Sequence, residues 1–190
     1  MQAEEIAIVL DTSAVIRGLT FIEGLNGADK VVRTERIFLF LPHSVVEETK
    51  YESTKVQLNL LSDRITVIKA GRKYLDQAMK IAAKVGLKSE LSETDLEVIA
   101  LALELKERYK RVYVATDDAR IQNACVFSGI EVIGFKKRIK YLLLRIKKCS
   151  VCEFEFDSDT NECPSCGSEK FRYIVRKINC HLTEEFRILY

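Results

Sequence analysis

The stretch Ile6-Ala7-Ile8-Val9-Leu10, followed at once by Asp11-Thr12-Ser13, is the best starting point for interpreting this chain. Five apolar residues in an unbroken run are typical of a strand that is buried on both faces of a parallel sheet. The polar residues that follow end the strand and can begin a helix that extends through Ile16. The sequence therefore predicts an aspartate at the carboxyl end of its first buried strand.

Short apolar runs and helical patterns continue to alternate as far as about residue 135. Further strands are predicted at Ile37–Leu41, Ile65–Ile68, Val112–Val114 and Glu131–Ile133. Helices are predicted from about Ser44 through Leu61, along the stripe Leu75, Ala78, Met79, Ala82 and Ala83 that Gly86 closes, from Ser92 onward, and up to Ser128-Gly129. Strands that alternate with helices in this way predict an α/β domain with a parallel sheet flanked by helices.

The size and composition of the chain fit one medium domain with a small appendage. The chain has 190 residues, of which 47% are hydrophobic, so the main body can form a substantial core. The acidic start Met1–Glu5 and the short apolar run after it do not resemble an export signal. No apolar run reaches the length of a membrane span. We therefore expect a cytoplasmic protein with no membrane partner.

Four cysteines near the carboxyl terminus form two pairs, Cys149-x-x-Cys152 and Cys163-x-x-Cys166, which are separated by 10 residues. Two such knuckles can supply four thiolates to one tetrahedral zinc ion, which leaves no position open for a substrate. Disulfides are the alternative in an exported protein, and a redox pair would not need a second copy. We therefore predict one structural zinc. Cys125 is expected to be a small core residue, and the pair Cys180-His181 to be incidental.

Positive charge is concentrated in the last third of the chain. From Lys136 to Tyr190 there are 12 Lys and Arg against 8 Asp and Glu, although the whole chain carries only +2. A basic segment beside an acidic body suggests a polyanionic partner such as RNA, whereas a solvated helix face is the plainer alternative. Phe171 and Tyr173 could either stack on bases or pack under the knuckles. The expected RNA-binding residues are Arg145, Lys147, Lys148, Lys170, Arg172, Arg176 and Lys177.

Acidic residues follow three of the predicted strands, at the edge where ligands bind in parallel sheets. They are Asp11, the Glu47-Glu48 pair after Pro42, and the Asp117-Asp118 pair, while Asp95 begins a helix that can reach the same edge. Each has a structural alternative: Asp95 could form a capping box with Ser92, and Asp117 could be a helix N-cap. Together they predict a site for Mg²⁺ or Mn²⁺, which prefer oxygen ligands. Such ions can activate water and stabilise the leaving oxygen of a phosphodiester.

The motifs that carry these acids resemble those of a known family. Strand–Asp11-Thr-Ser, Pro42-x-x-Val45-Val46-x-Glu48, Leu91-Ser-x-Thr-Asp95 and Val114-Ala-Thr-Asp-Asp118-x-x-Ile-Gln-Asn are similar to PIN-domain ribonucleases. With the four-cysteine ribbon, they resemble the Nin-one-binding protein family in particular. That resemblance implies Asp11, Glu48, Asp95 and Asp118 as metal ligands, with Asp117 as an accessory group. From the residue pattern we expect a nuclease domain (1–135), a basic connector (136–148) that could be helical through Tyr141, Leu142 and Leu143, a zinc ribbon (149–178) and an extension (179–190).

The same resemblance implies an activity. The Nin-one-binding family trims the 3′ end of small-subunit ribosomal RNA, so we expect a metal-dependent endoribonuclease with ribosome-assembly proteins as possible partners. Thr12, Ser13 and Thr116 could orient carboxylates or phosphate. Glu47 is an alternative to Glu48. Two other functions remain: a toxin-type PIN ribonuclease that acts on transfer or messenger RNA, and a non-catalytic RNA-binding scaffold.

Overall fold

The computed structural model describes residues 4–16, 35–48, 56, 59, 62–136, 138–157 and 160–179. Its elements in chain order are β1 (Glu4–Leu10), α1 (12–16), β2 (Glu35–Pro42), α2 (His43–Glu48), β3 (Ile65–Ile68), α3 (Arg72–Lys84), α4 (Glu93–Leu105), β4 (Arg111–Ala115), α5 (Ala119–Phe127), β5 (Glu131–Ile133), β6 (Tyr141–Cys149), β7 (Glu155–Asp157) and β8 (Phe171–Asn179). Across these ranges, no helix has the length and apolar character needed to cross a bilayer.

The first five strands form one parallel sheet in the order β3-β2-β1-β4-β5. The strand that carries Ile6–Leu10 is central, and its apolar side chains are almost completely buried. The chain therefore has the predicted parallel α/β architecture. The backbone N–H of Asp11 continues the ladder by donating to the carbonyl of Ala115 at 3.1 Å, which holds Asp11 beside the end of β4.

Helices α3, α4 and α5 bury their apolar residues against this sheet. Helix α4 is buried over most of its surface, because Val98, Ile99 and Leu101 all lie in the core. Cys125 on α5 is fully buried, as expected of a core cysteine. Met79 differs from its prediction, because it is exposed while Ala78 and Ala82 turn inward.

The segment expected to be a basic connector is a strand. β6 pairs antiparallel with β8 from Tyr141↔Asn179 to Cys149↔Phe171, and with the short strand β7 on its other side. The helix suggested around residues 141–143 was therefore wrong, and the sheet that contains the cysteines begins before residue 149. Of the helix predicted from Ser44 through Leu61, the structure describes His43–Glu48 as α2. Cys180-His181 and the rest of the extension lie outside the described residues.

The two sheets meet at Gly86, which follows the end of α3. Gly86 has a φ of +74°, a left-handed conformation that glycine adopts without strain. A Cβ at this position would lie 2.4 Å from Cβ of Arg145 on β6. The backbone N–H of Arg145 also donates to the carbonyl of Val85 at 3.4 Å. The absence of a side chain at residue 86 therefore allows the second sheet to approach the first.

Candidate active site and metal centre

Asp11 lies at the carboxyl end of β1 and is the most buried acid of the sheet edge, with 7% of its surface exposed. Three donors hold its carboxylate: the Thr12 backbone N–H at 2.6 Å, the Ser13 hydroxyl at 3.2 Å and the Thr116 hydroxyl at 2.7 Å. Thr12, Ser13 and Thr116 thus orient a carboxylate, as predicted. Burial raises the pKa of Asp11 above its usual value despite these hydrogen bonds, and the nearby charge of Asp95 adds to the increase.

Asp95 and Glu48 are brought together by the first turn of α4. Ser92 and Asp95 form the capping box, with the Ser92 N–H donating to Asp95 Oδ2 at 2.8 Å and the Asp95 N–H donating to Ser92 Oγ at 3.1 Å. Thr94, the residue before Asp95, donates its hydroxyl to Glu48 Oε1 at 2.5 Å. The capping role predicted for Asp95 therefore coexists with a position next to Glu48 and within electrostatic range of Asp11.

Asp118 is the N-cap of α5, and Arg120 holds its carboxylate. The Arg120 backbone N–H donates to Asp118 Oδ1 at 2.7 Å, and its Nε lies 3.1 Å from Oδ1 and 3.2 Å from Oδ2. This guanidinium lowers the pKa of Asp118. The second guanidinium nitrogen, Nη1, donates to the carbonyl of Glu90 at 2.8 Å. The capping role that the sequence left open for Asp117 therefore belongs to Asp118, one residue later.

Asp117 and Glu47 occupy positions unlike those of Asp11, Glu48, Asp95 and Asp118. Asp117 Oδ1 accepts hydrogen bonds from the backbone N–H groups of Phe135 and Lys136, at 2.7 Å and 2.8 Å. It thereby fastens the chain that leaves β5. Glu47 is exposed and faces His43, with 3.6 Å between Oε1 and Nδ1. Of the Glu47-Glu48 pair, Glu48 is the one that contacts the helix of Asp95.

Glu97 is a buried acid that the sequence analysis did not single out. Its Oε2 accepts from the Ser44 backbone N–H at 3.0 Å, and its Oε1 accepts from the Ala70 N–H at 3.2 Å. It thereby anchors the first turn of α2, the helix that ends at Glu48. The only signal in the sequence is that Glu97 interrupts the apolar residues of α4, between Leu96 and Val98. A search restricted to strand ends could not find it.

The four candidate acids are neighbours, but their oxygens do not converge as the cysteine sulfurs do. Among the described residues, Cys149, Cys152, Cys163 and Cys166 form the one cluster of three or more ligand side chains that could hold a metal ion. The chemistry of the acids nevertheless fits a hard cation. Asp11 is a buried carboxylate that accepts hydrogen bonds from two hydroxyls and a backbone N–H, and Asp118 already binds the cationic Arg120.

The cysteine cluster has the dimensions of a tetrahedral metal site. Cys149 Sγ lies 3.6 Å from Cys166 Sγ, and Cys152 Sγ lies 3.5 Å from Cys163 Sγ. Four sulfurs about 2.3 Å from one zinc ion would be roughly 3.8 Å apart. Backbone N–H groups of Cys152 and Val151 direct positive charge at Cys149 and lower its pKa to about 6. A depressed pKa favours the thiolate form that binds metal.

The two knuckles share one backbone feature. The residue after the second cysteine has a positive φ in each, +59° for Glu153 and +71° for Gly167. This turn directs backbone N–H groups toward sulfur, as in the 3.3 Å hydrogen bond from the Val151 N–H to Cys149 Sγ. Gly167 adopts the conformation freely, whereas Glu153 does so at a steric cost of about 1 kcal/mol. The two knuckles therefore adopt the same turn with different residues at the left-handed position.

Strand pairing divides the expected RNA-binding residues between two faces of the second sheet. Arg145 and Lys147 on β6 share a face with Tyr173 and Lys177 on β8, because residues directly opposite in a ladder point the same way. The other face carries Lys148, Arg172 and Arg176. On that face, Lys148 lies 3.3 Å and Arg172 3.9 Å from Glu153, and Arg176 pairs with Glu155. These acids reduce the positive potential that phosphate would meet.

Lys147 requires a correction, since it is only 2% exposed. Its ammonium donates to the carbonyl of Thr160 at 2.7 Å and lies 4.2 Å from the centre of the Phe171 ring. It supports the loop between the knuckles and is turned away from solvent. Phe171 itself packs against the buried cysteines, whereas Tyr173 is exposed. The two aromatic residues therefore have different environments.

Comparisons with known proteins relate this chain to ribonucleases. A family model described as the PIN domain of ribonuclease matches residues 8–105. The endoribonuclease Nob1 of Pyrococcus abyssi is 32% identical over 168 residues, which span 86% of this chain and 91% of that protein. The ribonuclease VapC1 of Thermoplasma acidophilum is 31% identical over 171 residues, 89% of this chain and 79% of the relative. The ribonuclease VapC3 of Aeropyrum pernix is 35% identical over 134 residues, 70% of this chain and 88% of the relative.

Proposed function

Because this chain belongs to the PIN-domain endoribonucleases of the Nob1 type, we propose that it cleaves precursor small-subunit ribosomal RNA at its 3′ end. The observation that carries the proposal is the placement of Asp11. Its carboxylate is buried at the carboxyl edge of the sheet, and Asp95 lies close enough to raise its pKa. Burying the Asp11 carboxylate near a second carboxylate costs free energy of folding, and a bound cation offsets that cost.

The residues proposed to hold Mg²⁺ or Mn²⁺ are Asp11, Glu48, Asp95 and Asp118. Such an ion would lower the pKa of a bound water, so that hydroxide would be available at neutral pH to attack the phosphodiester. Thr116 and Ser13 keep the Asp11 carboxylate in one orientation, and Thr94 does the same for Glu48. Arg120 neutralises Asp118 in the ion-free protein, so it must share or release that carboxylate when a cation binds. We assign zinc to the four cysteines, as a structural ion.

The second candidate is a toxin-type ribonuclease that acts on transfer or messenger RNA. The similarity to VapC1 and VapC3 favours it, because both are ribonucleases and both match at about the same identity as the Nob1 proteins. The four-cysteine cluster favours the ribosomal substrate, because a toxin-type PIN ribonuclease does not usually carry a zinc ribbon. A scaffold without activity is disfavoured by the buried Asp11, which has no packing advantage over an apolar residue.

The proposed site is tested by substitutions at the sheet edge, with incision of a precursor rRNA fragment in Mn²⁺ as the assay and EDTA as the blank. Asp11→Asn and Asp118→Asn should each reduce the rate at least about 100-fold, since each removes a charged ligand. Asp117→Asn keeps the oxygen that accepts from Phe135 and should retain activity. Glu47→Gln is the matched control for Glu48→Gln. Wild-type rates in folded Asp11→Asn protein would refute the site.

The substrate is tested by comparing three RNAs at equal concentration: a fragment that spans the 3′ end of precursor small-subunit rRNA, a transfer RNA pool and an unrelated messenger RNA. We expect one dominant cut in the first and little in the others. Preferential cutting of transfer or messenger RNA would replace the ribosomal proposal with the toxin-type one. The expected cytoplasmic location and ribosome-assembly partners stay predictions, which co-purification with small-subunit precursors would test.

A further inference from the structure

A groove lies where α3 and the turn after it face the second sheet. It has a volume of about 1070 Å³. One wall is formed by Met79, Lys80 and Lys88, and the other by Tyr173 and Val175. Of these five residues, only Tyr173 was considered for RNA binding in the sequence, where it could either stack on bases or pack under the knuckles. The groove is therefore a feature that depends on both sheets.

The electrostatic character of the groove is positive. Lys80, Lys88 and Arg145 line it, and none of the lining residues that the structure describes is acidic. Arg145 pairs with the Glu90 carboxylate, so its charge is largely compensated. Within the described part of the chain, Lys80 and Lys88 have no ion-pair partner and both are exposed. This differs from the outer face of the second sheet, where Glu153 and Glu155 accompany the cations.

Tyr173 gives the groove an aromatic surface with a fixed orientation. The ring is 65% exposed, yet its inner side is anchored. Phe171 contacts it edge to face with 5.8 Å between ring centres, and the Lys147 ammonium lies 5.7 Å from its centre. A ring held in this way can receive a base without a large loss of side-chain entropy. Met79 and Val175 extend the apolar surface beside it.

The groove and the acidic edge of the first sheet are linked through a single residue, Glu90. Arg120 holds the Asp118 carboxylate and donates Nη1 to the Glu90 carbonyl at 2.8 Å, while the Glu90 side chain pairs with Arg145 in the groove wall. Glu90 thus separates the two features. A polymer that leaves the acidic edge on this side can enter the groove directly.

We propose that this groove binds a single-stranded segment of RNA that continues from the scissile phosphate. Lys80 and Lys88 would contact successive phosphates, and Tyr173 would stack on a base. The inference deepens the proposed function, on which it rests for the identity of the ligand. Single-strand sites combine a cationic track with aromatic stacking platforms in this way. Lysines without ion-pair partners on one wall and an exposed aromatic ring on the other suit phosphates and a base, and a protein partner would not require this combination.

The test measures binding without cleavage, in a buffer that contains no Mg²⁺, no Mn²⁺ and no chelator, using the zinc-loaded chain and an unstructured oligoribonucleotide of about 12 nucleotides. Fluorescence anisotropy is recorded across a range of salt concentrations. Lys80→Ala with Lys88→Ala should weaken binding and reduce the slope of log affinity against log salt by about 1.4, or about 0.7 for each lost contact. Tyr173→Ala should weaken binding at least about fivefold, whereas Tyr173→Phe should retain most of it.

The control for charge is Lys84→Ala with Lys140→Ala, which removes two exposed lysines outside the groove lining. This variant should bind RNA nearly as well as wild type. Equal effects from the groove and control pairs, or none from the groove pair, would overturn the inference and leave a protein as the occupant. Zinc content and thermal unfolding show that each variant is folded. The outcome is independent of cleavage. If the wild-type protein cuts no RNA but the groove variants alone lose RNA binding, this inference stands and the proposed function is refuted.

Discussion

The two sheets of this molecule are stabilised by different physics. The parallel sheet β1–β5 buries a continuous apolar core, in which Ile8, Val9 and Ile99 are fully inaccessible. Among the described residues, the apolar cluster of the second sheet consists of Cys149, Phe156 and Cys163, with Phe171 packed against them. A cluster of this size cannot offset the conformational entropy lost by about forty ordered residues. The first sheet is therefore stable through its own packing, whereas the second depends on a metal ion and on its contacts with the first.

The strongest test of this contrast is removal of the metal. Structural zinc contributes about 10 kcal/mol or more to small modules of this kind. Cys163→Ser, or a strong chelator, should therefore abolish the fold of residues 141–179 and leave the parallel sheet intact. Amide exchange measured by region would report this difference. Cys125→Ala, which alters the buried cysteine of α5, is the matched control and should retain one zinc per chain.

A cooperative loss of both sheets on zinc removal would show that the second sheet is part of the main core. Native protein that contains no zinc by elemental analysis would contradict the metal assignment itself.

The junction between the sheets is tested next, at Gly86. An alanine there incurs about 1 kcal/mol for its left-handed conformation and about 1–3 kcal/mol more for its overlap with Arg145. Gly129→Ala separates the two effects, because Gly129 has a φ of +65° but only the flexible end of Lys106 nearby. We expect Gly86→Ala to lower the free energy of unfolding more, and to increase amide exchange in β6. Equal losses in the two variants would mean that the close approach contributes nothing.

Within the first sheet, two acids of the proposed site should have opposite effects on the free energy of unfolding: ionised Asp11 should lower it and ionised Asp118 should raise it. The pKa of Asp11 is raised in the folded state, mainly by burial, so its ionisation weakens the fold as pH rises through the interval between its unfolded and folded pKa. Asp11→Asn should therefore increase stability without added Mg²⁺ or Mn²⁺ above that interval, by on the order of 1 kcal/mol. The gain should disappear at low pH, where Asp11 is protonated in both states.

Asp118 should behave in the opposite way. Arg120 lowers its folded pKa, so its contribution is present above the unfolded pKa and is lost as pH falls through the folded one. Asp118→Asn should lower stability at neutral pH and converge with wild type in acid. Denaturant unfolding of both zinc-loaded variants without added Mg²⁺ or Mn²⁺ and without chelator, over a series of pH values, measures the two differences. The same sign for both would show that the two environments are not distinct.

The smallest effect is expected in the first knuckle. Glu153→Gly removes the strain of a positive φ but also the weak contacts of Glu153 with Lys148 and Arg172. The net change should be about 0.5 kcal/mol in favour of the metallated form, or roughly a twofold gain in zinc affinity. Glu153→Gln removes the charge and keeps the Cβ, so it should produce no gain. Competition with a zinc-binding dye measures both variants.

Several features of the fold followed from the sequence because their causes are local. The five parallel strands were predicted from apolar runs, and their bounds agree closely with the structure. The capping box of Ser92 and Asp95 was readable from its three-residue spacing. The cysteine pairs predicted a four-sulfur cluster, which the structure assembles. Each of these patterns is contained within one element or one turn.

The errors arose where one element depends on another. Residues 141–143 were suggested to be helical because a short apolar run fits either period, and only the partner β8 makes them part of a strand. The same pairing buried Lys147 and distributed the other cations over two faces. Glu97 was missed because its partners Ser44 and Ala70 lie far from it in the chain.

The sequence by itself determined the parallel architecture, the acids at its carboxyl edge and the four sulfur ligands, because hydrophobic period and ligand spacing act over a few residues. Tertiary structure alone decided that Arg120 holds Asp118, that Gly86 admits Arg145, and that Lys80 and Lys88 face Tyr173 across a groove. These contacts join residues from separate elements. Their distances follow from how the two sheets pack, which no local pattern encodes.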